Sequence, residues 1–111
     1  MAEARLKTEI WVRATLRLAD ANGRPGAMLR RGDSDAGGVL IVLRGAAGLC
    51  VLSQIRTQEG KPAWLRATGP EPVDQASVDA YLARQTGRDP DIWVIEFPAP
   101  DLVPPFAADI V

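Results

Sequence analysis

The chain has 111 residues, 47% of them apolar and 24% charged, with 13 Lys plus Arg against 14 Asp plus Glu for a net charge of −1. That length corresponds to one domain burying roughly 65% of the surface its unfolded form exposes, and a single Cys removes the secreted disulfide-scaffold class. The sequence contains no His, which excludes Ser-His-Asp and Cys-His triads, His-ligated zinc or haem, and histidine acid–base chemistry; the near-neutral charge argues against nucleic acid or other polyanions as partners.

The start, Met1-Ala2-Glu3-Ala4-Arg5, lacks the basic start, apolar run and small-residue cleavage site of a signal peptide. The longest wholly apolar stretch, residues 39–43, is far short of the ~20 residues that span a bilayer. The expectation is a cytoplasmic protein with no membrane contact. Residues 8–22 alternate in polarity as a half-buried strand does, yet at helical spacing Glu9, Arg13, Arg17 and Asp20 gather into one polar stripe. Ile10, Trp11, Ala14, Leu18 and Ala21 then share the opposite face. Fifteen residues is long for a strand and ordinary for a helix. Thr8 is placed to cap the start, and Asn22-Gly23 followed by Pro25 is a stop, so the segment is read as a helix.

Four strands are predicted next, over residues 26–31, 38–44, 49–57 and 62–67. The second is apolar on both faces, as a central strand is. Residues 45–48 and 58–61 are of hairpin length and carry Gly, so an antiparallel meander follows. Pro62 at a strand start fits an edge position. Asp74 caps a second helix over residues 75–86, with Val78, Tyr81, Leu82 and Gln85 on one stripe, Gly87 ending it and Pro90 preventing its resumption. Residues 92–97 form a last strand, Ile92 and Val94 facing one way and Trp93, Ile95 and Phe97 the other, which places it inside the sheet. Pro98, Pro100, Pro104 and Pro105 then favour an extended path, while Phe106, Ile110 and Val111 are too apolar for a solvated tail.

Two polar clusters are candidates for chemistry. Residues 30–38 form a Gly-rich loop in which backbone amides and the paired Arg30 and Arg31 can clamp a carboxylate or phosphate, and in which Asp33 and Asp35 can help hold a hard cation. The plainer account is that Asp and Gly make the turn, the Asp side chains bonding nearby amides. The loop is neither a Walker loop, lacking Gly-Lys-Ser/Thr, nor an EF-hand, since the twelfth position from Asp33 is Arg44. Arg outnumbers Lys by 11 to 2; a GC-rich genome and selection for bidentate recognition each produce that bias, and composition does not separate them. The second cluster runs from Arg84 through Arg88-Asp89-Pro90-Asp91 to Trp93 and Glu96. Glu96 shares a strand face with Ile92 and Val94, so it is either a buried acid–base group or half of an ion pair with an Arg. Trp11, Trp64 and Trp93 are read as core with bonded indoles, or as the wall of an aromatic pocket. Cys50 is read as a buried, inert thiol.

Three stretches together resemble an alphaproteobacterial family, domain-of-unknown-function family 1491. They are Ile10-Trp11-Val12; Arg30-Arg31-Gly32-Asp33 with Ala36-Gly37; and Tyr81 through Arg84-Gln85 to Asp89-Pro90-Asp91-Ile92-Trp93-Val94-Ile95-Glu96. The resemblance spans most of residues 6–97, and the Pro-rich end departs from the pattern. It implies a compact bacterial cytoplasmic protein of about this size and supplies no activity, cofactor or catalytic residue.

The fold expected is a single α+β domain over residues 1–97, in the order α-β-β-β-β-α-β, with a mainly antiparallel sheet and helices packed on one face. Residues 98–111 form a tail that docks on the domain or contacts a partner. A sheet covered on one side leaves Val39, Ile41, Trp93 and Phe106 to meet a second subunit. The expected function is therefore a non-enzymatic, homodimeric binding or accessory module, with an unidentified protein as a further partner. The alternative is a binder of, or enzyme on, a small anionic or metal-bound ligand, using Arg30, Arg31, Asp33 and Asp35 with Asp91 and Glu96. No catalytic residue, resident metal or cofactor is assigned. Nucleic-acid binding through Arg13 and Arg17 is disfavoured because Glu9 and Asp20 share their stripe.

Overall fold

The computed structural model describes residues 7–111; the N-terminal stretch read for a leader lies outside them. The elements follow in the predicted order: α1 (Thr8–Ala21), β1 (Ala27–Arg30), β2 (Val39–Gly45), β3 (Gly48–Arg56), β4 (Pro62–Arg66), α2 (Gln75–Arg88) and β5 (Trp93–Pro98). One five-stranded sheet has the order β1-β5-β2-β3-β4. β2, β3 and β4 form an antiparallel meander. β5 enters between β1 and β2, antiparallel to the first and parallel to the second, as its two apolar faces require. The expected four-strand meander thus stops at three. β1 and β2 are joined by the long loop of residues 31–38 rather than a tight hairpin, which leaves a strand's width, about 4.8 Å, for β5.

The helices lie on opposite faces of the sheet, not on one as expected. On the first face Val39, Ile41 and Leu43 of β2, Cys50 and Leu52 of β3, Trp64 of β4 and Trp93, Ile95 and Phe97 of β5 pack with Val12 and Ala19 of α1. On the second, Leu40, Val42, Leu49, Val51, Ile92 and Val94 pack with Val78, Tyr81 and Leu82 of α2. The central strands carry apolar side chains on both faces, so each face needs its own cover. Leu102, Phe106, Ala108 and Ile110 complete the α1 face, with Ala99 buried in it. Val39, Ile41, Trp93 and Phe106, expected to meet a second subunit, are accordingly packed within this chain.

α1 is a helix, as its length indicates, but its phase differs from the expected one. Val12, Thr15 and Ala19 are buried and Trp11 and Leu16 pack beside them, whereas Ile10 is 51% and Leu18 56% exposed. The helix carries two apolar sectors, and the larger, with Trp11 at its rim, meets the core. Its C-terminus ends as predicted: Asn22 caps it and Gly23 adopts a positive φ of 77°. In α2, Asp74 accepts at Oδ1 from the Ser77 amide at 2.8 Å, as expected. The helix continues through Gly87 to Arg88, because the stop is Pro90, which pushes the preceding Asp89 into extended backbone at φ −139°.

The two sheet edges differ. β4 is covered by the C-terminal segment, where the Trp64 amide donates to the Asp109 carbonyl at 2.8 Å and the Val111 amide to the Trp64 carbonyl at 2.9 Å. β1 is four residues long, bulged between Met28 and Arg30, and exposed throughout. Shortness, a bulge and a flanking Pro25 are features that blunt an edge against further pairing. Among the described residues no helix is long and apolar enough to cross a membrane.

Candidate functional site

The Gly-rich loop ties α1 to the start of β5. The first α1 amides find no side-chain cap; the Thr8 amide donates to the Asp35 carbonyl at 3.3 Å and the Glu9 amide to that of Ser34 at 3.0 Å. Thr8, expected to cap α1, instead donates its hydroxyl to the Gly37 carbonyl at 2.9 Å. Gly32 and Gly37 both lie against the Asp91 carbonyl, where a Cβ on either would collide with its oxygen. That close approach is the reason for glycine at both positions.

Five of the six predicted polar side chains have partners inside the fold. Asp33 accepts at Oδ2 from the Asp35 and Ala36 amides at 3.1 and 3.0 Å, and its carbonyl accepts from the Trp93 indole at 2.7 Å. Arg31 donates to Glu9 Oε2 at 2.8 Å and lies 5.4 Å from the Trp93 ring centroid, a cation–π arrangement. Arg30 donates to the Pro90 carbonyl at 3.1 Å, and Asp35 pairs with Lys7 at 3.7 Å. The Asp33 amide donates to the Asp91 carbonyl at 3.0 Å, so the start of the second cluster does adjoin the loop. Glu96 does not. It stands five residues, about 16 Å, along the strand from Asp91, on the α2 side, paired with Arg44 at 3.0 Å. Arg44 also donates to Gln75 at 2.8 Å, and the Glu96 carboxylate holds its guanidinium above the usual value. The carboxyl of Glu9 is held below its ordinary value, first by the hydrogen bond from Arg13 and then by Arg31.

A second region gathers groups without such partners. Trp11, Gln54, Pro62, Trp64, Phe106 and Asp109, with Lys61 at the rim, line a cleft of about 330 Å³ beside the β4 edge. The Trp11, Trp64 and Phe106 rings form one cluster with centroids 5.6–5.7 Å apart, Trp11 and Trp64 tilted by 31° and Phe106 edge-on to both, and Phe97 contacts Phe106 at 6.3 Å. Register puts Gln54 directly opposite Trp64 on the same face. Of the three indoles, that of Trp93 donates within the fold; among the described residues, those of Trp11 and Trp64 have no protein acceptor, and Lys61 and Asp109 are in no ion pair.

The cleft was only partly legible from sequence. An aromatic wall follows from the Trp residues, but Gln54, Lys61, Phe106 and Asp109 join it through strand pairing and the docked C-terminus, which no local pattern encodes. The surroundings of Cys50 are a second non-local case. The thiol is buried, and β4 brings Arg66 Nη1 to 3.6 Å from its sulfur.

A single sheet with one helix on each face and a cleft where the C-terminal segment meets an edge strand defines a small α+β domain of one-sheet type. The sequence profile of the family described as "Protein of unknown function (DUF1491)" matches residues 6–107, and the chain belongs to that family. The match runs past residue 97 into the Pro-rich segment, which was expected to depart from the family and instead supplies part of its core. A crystal structure of a DUF1491 family protein from Caulobacter crescentus CB15 is 29% identical, with a TM-score of 0.83 over 96% of this chain and 100% of that one. An NMR structure of a DUF1491 family protein from the same organism is 28% identical, with a TM-score of 0.82 over 98% and 99%. The solution structure of protein Atu0922 from A. tumefaciens shares the fold at 20% identity, with a TM-score of 0.78 over 95% of each chain. No curated protein matches.

Proposed function

We propose that this chain is a non-enzymatic cytoplasmic binding module whose working surface is the aromatic cleft. One contrast carries the reading. The polar groups of the Gly-rich loop are engaged in holding α1 to β5, whereas Lys61, Asp109 and the Trp11 and Trp64 indoles converge on the cleft without described protein partners. A cavity of about 330 Å³ with mostly apolar walls and a few polar groups has the proportions of a small-molecule site. The test is an NMR titration of amide shifts with indole, phenol and toluene. Saturable shifts at residues 11, 54, 61, 63, 64 and 106–109, lost in Trp11→Ala, are expected. Shifts centred on Gly37 would return the site to the Gly-rich loop and sink the reading.

Self-association is the second reading, favoured by the outer sector of α1. Ile10 and Leu18 are exposed, with exposed Ala14 between them. Two such helices packed antiparallel about Ala14 set each Ile10 against Leu18 of the other copy, with the small residue allowing close approach. Sedimentation of the native chain and of Leu18→Glu decides this: a dimer that dissociates on substitution supports it, and a monomer at high concentration removes it.

A further inference from the structure

We infer that the cleft takes a small zwitterion bearing a flat apolar ring, the chemical class of a free aromatic amino acid; this rests on the cleft being the working surface. Its volume, about 330 Å³, is at the lower end of the ~300–1,000 Å³ of ligand clefts, which suits one small molecule rather than a polypeptide segment. With centroids 5.6–5.7 Å apart, the three rings touch one another. Trp11 and Trp64 are tilted 31° to one another and Phe106 stands edge-on to them, at 88° and 61°, so a ligand ring stacks on the tryptophan pair with Phe106 as its side wall.

The rim carries both signs of charge. Lys61 follows the β3–β4 turn and Asp109 lies in the C-terminal segment; both are exposed, and neither is in an ion pair among the described residues. An anion without a cationic group meets Asp109, and a cation without an anionic group meets Lys61. A ligand with both charges satisfies the pair, and Gln54 adds one amide donor and one acceptor. The charged side chains also spring from fixed backbone. The Lys61 amide donates to Thr57 Oγ1 at 3.2 Å and its carbonyl accepts from the Thr57 amide at 2.9 Å. The Asp109 carbonyl accepts from the Trp64 amide at 2.8 Å. Binding therefore orders two side chains and not a loop, which limits its entropy cost.

The experiment is calorimetric titration of the full chain with L-phenylalanine, phenylpropionate and phenethylamine, repeated on Lys61→Met, Asp109→Asn and Trp11→Ala. L-Phenylalanine is expected to bind saturably, with each singly charged analogue about tenfold weaker. Lys61→Met and Asp109→Asn, both at exposed positions, are each expected to weaken L-phenylalanine about tenfold. Asp109→Asn is also expected to improve phenylpropionate. Saturable binding of an analogue as tight as that of L-phenylalanine, or unchanged affinity in both charge variants, overturns the zwitterion; if Trp11→Ala still abolishes binding, the cleft reading survives. Lack of saturation with L-phenylalanine up to about 10 mM also overturns it, and the fate of the cleft then follows from the uncharged probes.

Discussion

At the start of α2 the Asp74 carboxylate receives the Ser77 amide from three residues away, while at the start of α1 the free amides are met by carbonyls of Ser34 and Asp35 from a distant loop. The two devices respond differently to acid. The bond from the Ser77 amide, aided by its hydroxyl, holds the Asp74 carboxyl below its ordinary value, so the unfolded chain takes up that proton at a higher pH than the folded one does. The contribution of Asp74 is complete above the unfolded pKa and is lost as pH falls through it toward the folded value, below about pH 4. Glu9, depressed chiefly by Arg13, fails in the same direction. Asp74→Asn keeps an oxygen acceptor without a titrating group. Its Tm is expected to stay close to that of the native chain near pH 7 and to fall less steeply below pH 4, as followed by circular dichroism. An unchanged acid slope would show that Asp74 has no part in it. The Asp74 cap was legible from sequence because donor and acceptor are local; the role of Thr8 was not, because its acceptor Gly37 lies 29 residues away.

The same distinction holds for the elements. Order, type and most boundaries follow from periodicity and from Gly, Pro and Asx punctuation, all local signals. The interior position of β5 follows from its two apolar faces. What local signals do not fix is which side of the sheet each helix takes and which sector of α1 turns inward, since Ile10/Ala14/Leu18 at i, i+4, i+8 and Val12/Thr15/Ala19 at i, i+3, i+7 are both helical stripes. The core decides between them: Val12 is fully buried, while Leu18 is 56% exposed. Val12→Ala is therefore expected to cost about 1–3 kcal/mol, and Leu18→Ala less than about 0.5 kcal/mol, by urea unfolding at a concentration where the chain sediments as a monomer. The reverse ranking would mean that α1 is rotated by a quarter turn or more from the position described.

For the molecule as a whole, the C-terminal segment belongs to the core. Phe106 touches Trp11, Trp64 and Phe97, Leu102, Ala108 and Ile110 pack on the same face, and residues 109 and 111 close the β4 edge with two backbone hydrogen bonds. Removing a buried Phe side chain alone costs about 3–5 kcal/mol; for the part-buried Phe106 about 2 kcal/mol is the scale, with the remaining apolar contacts and the opened edge in addition. Against a net stability of about 5–15 kcal/mol for a domain, loss of the whole segment is comparable to the total. A chain ending at residue 97 is expected to lose its cooperative thermal transition and its near-ultraviolet aromatic signal. One ending at residue 108 keeps Phe106 and loses only the edge bonds and Ile110, so it is expected to melt cooperatively at a reduced Tm. If the chain ending at residue 97 melted within a few degrees of the full protein, the segment would be an accessory strap rather than core, and a cleft built half from it would not be a permanent feature of the fold.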